Sequence, residues 1–226
     1  MRPIAAALVA IFLALTAVPV FAAAWLAPLP DGMAASKQSR VRGLYAESRF
    51  MRIDVNERLE TFEAACKARG AEPRIAGRDL LSGGIRRIYR SAAGLAIFED
   101  TPSISTDDDA CTASVSLDRS VEIKPGPRGR FLTGDWIDKH PECDWLRRCQ
   151  TGEVAGVQAR CFDLGDGFVG TIVCYSTQDD FSRDLIVSRS NYSDDGSGPD
   201  NGWVMDRVVV DALIDPAVFR AAPGRP

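Results

Sequence analysis

The sequence predicts an α+β fold: a single domain on a mainly antiparallel sheet, with one principal helix over about 54–69 packed on it, a short second helix over about 141–150, and disulfide cross-links. Three observations carry this expectation. Val55, Leu59, Phe62 and Cys66 recur at helical spacing. Much of the remaining chain either alternates apolar and polar residues or runs apolar in short pieces, which is strand patterning. Those pieces are joined by short polar turns, as in an antiparallel sheet with a helix on one face.

The first 24 residues, "MRPIAAALVAIFLALTAVPVFAAA", carry one positive charge at Arg2, an apolar core through residue 18, a break at Pro19 and small residues in "VFAAA". This is the pattern of an export leader, with cleavage expected after Ala22 or Ala24. The competing expectation is an uncleaved anchor, because apolar character continues through Trp25, Leu26 and Leu29. The short positive region fits a bacterial envelope, so the chain is expected to be periplasmic or secreted. Residues 25–46 read as a flexible lead-in, 47–221 as the single α+β domain and 222–226 as a disordered tail.

"SRFMRIDV", 48–55, alternates and suggests a strand. Asp54 then reads as an N-cap with Glu57 completing a capping box, and Gly70 closes the helix. "IRRIYR" (85–90) and "LAIFED" (95–100) flank a short turn. "CTASVSLD" alternates strictly and places Cys111, Ala113, Val115 and Leu117 on one face. "KPGPRGR", 124–130, is a loop. Segments 154–163, 168–176, 183–192 and 203–214 read as strands, and "DPAVF" as one helical turn. In "DWIDKHPECDWLRRCQTG", Pro141 suits a first helical turn, with acids at that end, arginines at the other and Gly152 to stop it.

Composition places limits on function. The 226-residue chain is 46% hydrophobic and 26% charged, with net charge −4. Loss of Arg2 with the leader gives −4 − 1 = −5, which argues against a general nucleic-acid binder. The arginines at 86, 87, 90, 147 and 148 are interleaved with acids and read as a solvated face. No segment after the leader is apolar enough to cross a membrane, so none is expected in the mature chain if the leader is cleaved.

Export makes disulfides the first reading of the six cysteines, Cys66, Cys111, Cys143, Cys149, Cys161 and Cys174. Cys66 and Cys111 both face inward by pattern and form the leading pair, leaving the other four to pair among themselves. On a continuous helix Cys143 and Cys149 would be separated by about 9 Å of rise and cannot bond to each other; bonding requires the helix to break. A two-residue Asp166-Gly167 turn would set Cys161 opposite Ile172, so a Cys161–Cys174 bond needs a bulge or a longer turn. His140, the only histidine, with Cys143, Cys149 and Cys161 matches no common zinc spacing. No metal or cofactor is therefore expected.

Catalytic motifs fare poorly. "GDGFVG" formally matches G-x-G-x-x-G, but β-like "TIVCYS" follows where a helix should open. A single histidine excludes H-E-x-x-H chemistry and leaves a nucleophilic triad only His140, with no accompanying serine motif. Two acidic loops remain, one with Asp108 and Asp109, the other with Asp194 and Asp195. They could serve a carboxylate-dependent hydrolase or a calcium-dependent surface module, although such residues are ordinary in turns. The expectation preferred over both is a non-catalytic protein that binds or inhibits a protein or envelope partner.

Overall fold

The computed structural model describes residues 24–50, 52–126, 151–163, 169–193 and 202–220. Residues 1–23 of the expected leader, the helix at 141–150, His140, Arg147, Arg148 and the 222–226 tail lie outside the described residues.

Among the described residues, eleven strands form two sheets rather than one. The larger sheet has the order β11-β1-β3-β4-β5-β2, built from β1 (Val41–Phe50), β2 (Arg74–Ala76), β3 (Gly84–Ser91), β4 (Gly94–Asp107), β5 (Thr112–Pro125) and β11 (Arg207–Ile214). The smaller has the order β10-β9-β8-β7-β6, from β6 (Thr151–Val154), β7 (Val157–Asp163), β8 (Val169–Ser176), β9 (Ile186–Ser193) and β10 (Trp203–Val204). Every strand pairing is antiparallel except β2 with β5, so the larger sheet is mixed.

Sequence explains why the larger sheet lies in the middle. β1 and β4 carry unbroken apolar runs, Leu44-Tyr45-Ala46 and Leu95-Ala96-Ile97-Phe98, and all seven residues are buried. Strands covered on both faces read this way. On one face Leu44, Ala46, Ile88, Leu95 and Ile97 pack against Val157, Ala159, Leu185, Val187 and Met205 of the smaller sheet and its connections. On the other, Tyr45, Tyr89, Ala96 and Phe98 pack under Trp25, Ala27, Leu29 and Met33, together with Ile214 and Val218.

The principal helix, α1, spans Ile53–Ala68, close to its expected bounds. Val55, Leu59, Phe62 and Cys66 are all buried, and the last three share a cluster with Cys111 and Ala113 at the end of the β4–β5 hairpin. Gly70 takes φ +75° just past the helix, and its N–H bonds the Lys67 carbonyl, a left-handed stop that favours glycine. The capping box does not form. Arg52 occupies the cap position without a side-chain cap bond, and Asp54 lies in the first turn, where it accepts from the Arg52 guanidinium at 2.7 and 2.5 Å.

Several boundaries differ from expectation: β4 runs on to Asp107, β5 takes in Lys124 and Pro125 of the expected loop, and β9 starts at Ile186 rather than 183. The first strand spans Val41–Phe50, not residues 48–55, so residues 41–46 of the supposed lead-in form part of an interior strand of the larger sheet. Segment 154–163 is not one strand: Ala155 and Gly156, at φ +50° and +82°, turn β6 tightly into β7. Segment 203–214 divides at Met205-Asp206, where the chain passes from one sheet to the other. The Met205 N–H bonds Val187 of β9 and the Asp206 N–H bonds Glu47 of β1. The expected closing turn is present as a 3-10 helix over Pro216–Phe219.

Candidate functional site

The covered face of the larger sheet carries two rows of side chains. The first is aromatic: Trp25, Tyr45, Tyr89 and Phe98 follow one another with ring centroids 5.2, 5.3 and 5.7 Å apart. Burial pushes the Tyr45 phenol far above its usual range, helped by its hydrogen bond to Glu47 at 2.5 Å. Burial likewise raises Tyr89, whose hydroxyl donates to the Pro28 carbonyl at 2.8 Å.

The second row is charged. Register sets Glu47 of β1 beside Arg87 of β3, and Asp100 of β4 beside Arg119 of β5. The Arg87 guanidinium lies 3.7 Å from Glu47 and 3.9 Å from Asp100, and Asp100 accepts from Arg119 at 2.7 and 3.2 Å. The side chains of Glu47, Arg87 and Asp100 are only 16, 14 and 9% exposed. Charges so far from water persist only when paired. Arg86 lies over the Trp203 ring at 5.3 Å, and Arg90 donates to the Arg183 carbonyl at 2.6 Å. Arginines 86, 87 and 90 are therefore structural, and the expected solvated face does not describe them.

At the β5 side of this face lies an open cleft of about 570 Å³, lined by Pro30 to Met33, Ser36, Phe98, Arg119, Val121, Ala217 and Arg220. That volume is within the usual range for small-molecule sites, about 300–1,000 Å³. Its walls come from the two ends of the described chain and the sheet between them, and polar contacts tie the three together. Gly32, at φ +79°, allows the Pro30–Met33 turn, closed by the Met33 N–H on the Pro30 carbonyl at 3.1 Å. Arg119 donates to the Asp31 carbonyl at 2.9 Å. Buried Asp215 accepts from the backbone N–H of Ser36 with one oxygen and of Ala217 with the other, both at 2.9 Å.

A second, larger groove of about 830 Å³ runs between α1 and the β4–β5 loop, past Asp54, Glu57, Arg58, Thr61, Phe62, Ala65, Arg69, Thr106 and Asp108. Most of that wall is solvated helix surface of both signs, whereas the cleft has an apolar floor. The sequence-flagged Asp108 borders this groove, and Asp108 and Asp109 are both exposed. The Asp108 carbonyl accepts from Arg69 at 2.5 Å. Asp194 and Asp195 lie outside the described residues, so nothing places the two acidic loops together. Among the described residues no group of three or more His, Cys, Asp or Glu is arranged to hold a metal ion, and no helix is long and apolar enough to cross a membrane.

Cys66 and Cys111 stand at disulfide distance, Cα to Cα 5.8 Å, joining α1 to the β4–β5 loop. Cys161 and Cys174 form the second pair, at 3.9 Å, directly opposite in register. Ile172 stands opposite Asp163, not Cys161, so the diagonal arrangement expected of the cysteines is corrected; Asp166 and Gly167 themselves lie outside the described residues. Cys143 and Cys149 lie outside the described residues.

Neither the charged row nor the cleft was identified from sequence. The outward charges of "IRRIYR", "LAIFED" and "LDRS" were visible, but only register sets Glu47 against Arg87 and Asp100 against Arg119. Comparison of the chain with protein-family models, curated proteins and solved structures gives no significant match.

Proposed function

We propose that this chain is an exported, disulfide-braced binding protein that acts by holding a ligand rather than transforming one. The observation that carries the reading is the cleft itself: an apolar floor of Phe98, Val121 and Met33 beneath walls fixed by Asp215 and Arg119. Sites that bind small molecules combine apolar lining with a few placed polar groups in this way. Two cross-linked cysteine pairs suit an oxidising compartment, as does the leader pattern of the first 24 residues.

The test is an amide NMR screen of the oxidised mature protein against a fragment library. Chemical-shift changes clustered on Met33, Phe98, Val121 and Ala217 are expected. Hits confined to the α1 groove, or none, would remove the cleft as the site, and turnover of any hydrolysable fragment would favour a carboxylate hydrolase.

A further inference from the structure

We propose that the cleft takes a small-molecule monocarboxylic acid, with its apolar body on the floor and its carboxylate between Arg119 and Arg220. This rests on the cleft being the binding site and adds the ligand's chemistry. Phe98 is buried and Val121 and Met33 are half-buried, so the floor offers carbon contacts without a polar group to satisfy. A ligand body there gains from desolvation rather than from hydrogen bonds.

The rim presents two guanidinium groups, Arg119 and Arg220. Arg119 is held by Asp100 and the Asp31 carbonyl through three of its N–H groups. Its guanidinium has five, so two remain for a ligand, in an orientation fixed beforehand. Asp100, buried beside Arg87 and Arg119, holds the Arg119 guanidinium from one side. Arg220 is exposed and meets the neutral Gln38 amide oxygen at 2.5 Å; among the described residues it has no carboxylate partner. The one carboxylate side chain on the lining, Asp31, is 74% exposed and lies 3.8 Å from Arg87. What the rim offers an anionic head is therefore guanidinium geometry, from the spare N–H groups of Arg119 and from Arg220, rather than an excess of positive charge, since Asp100 already answers Arg119.

Titration calorimetry and amide NMR with octanoate, 4-phenylbutanoate, octanol and octylamine test this on the oxidised mature protein. Both acids are expected to bind with shifts on the cleft floor, octanol about tenfold or more weaker, and octylamine not measurably, since a charge-assisted contact contributes roughly that factor. Arg220→Gln should weaken the acids about tenfold and leave octanol unchanged. Arg220 is exposed, so an unchanged thermal midpoint confirms the variant's fold. Equal binding of octanol and octanoate at the cleft would overturn the carboxylate assignment while leaving the cleft a binding site. If neither acid binds but other fragments shift the floor residues, the ligand class is wrong; if nothing shifts them, the functional reading itself falls.

Discussion

At the scale of single residues, the outer face of the larger sheet mixes groups that water would hold better with groups that exclude it. Tyr45 and Tyr89 are fully buried, and burial raises both phenols well above the ordinary value of about 10. The linkage sign follows directly. A folded-state pKa above the unfolded one means the native state binds more protons, so the contribution is complete below pH ~10 and lost as pH rises from there toward the folded values. Tyrosinate absorbance is expected to show these two rings ionising only together with the loss of tertiary signal in alkaline solution. Ionisation of all tyrosines near pH 10 with the fold intact would contradict their burial.

At the scale of elements, the two cross-links differ in what they close. Cys66 and Cys111 are 45 residues apart in sequence and Cys161 and Cys174 only 13. Loop-closure entropy assigns about 4 kcal/mol to the first and about 3 kcal/mol to the second. Cys66→Ala with Cys111→Ala is therefore expected to lower unfolding free energy by about 1 kcal/mol more than Cys161→Ala with Cys174→Ala, measured by urea denaturation. The elements also mark what was legible. The buried stripe of α1 and its link to Cys111 were readable because helical and strand periods are local properties. The Ala155-Gly156 turn was not, because alanine seldom takes positive φ and its apolar character blends into the strands it separates. Nor was the break at Met205-Asp206, since sheet membership is decided by distant partners. The cleft joins residues near 30, 100, 120 and 217, and no local pattern announces that meeting.

At the scale of the whole molecule, packing begins at the edge of the expected leader. Trp25 lies against Tyr45 and accepts from the Leu213 N–H at 2.8 Å, and Leu26 bridges Leu213 in parallel. If the leader is removed, N-terminal sequencing of the purified protein is expected to begin at Ala23 or Trp25, either of which preserves these contacts. Peptide mapping without reductant should recover Cys66 with Cys111 and Cys161 with Cys174; either pair found exchanged would contradict the register of β7 with β8 or the seating of α1.

The last strand has a consequence for biosynthesis. β11 is delivered near the end of the chain, yet it lies alongside β1, near the beginning, and the closing turn after it supplies Asp215 to the N-terminal wall. Until residues 207–214 have been made, β1 keeps a bare flank of backbone amides and carbonyls, an invitation to mispairing. A nascent chain of this kind gains from being kept extended until it is complete. A chain truncated before Arg207 would have a sticky edge and lack the Ala217 and Arg220 side of the cleft.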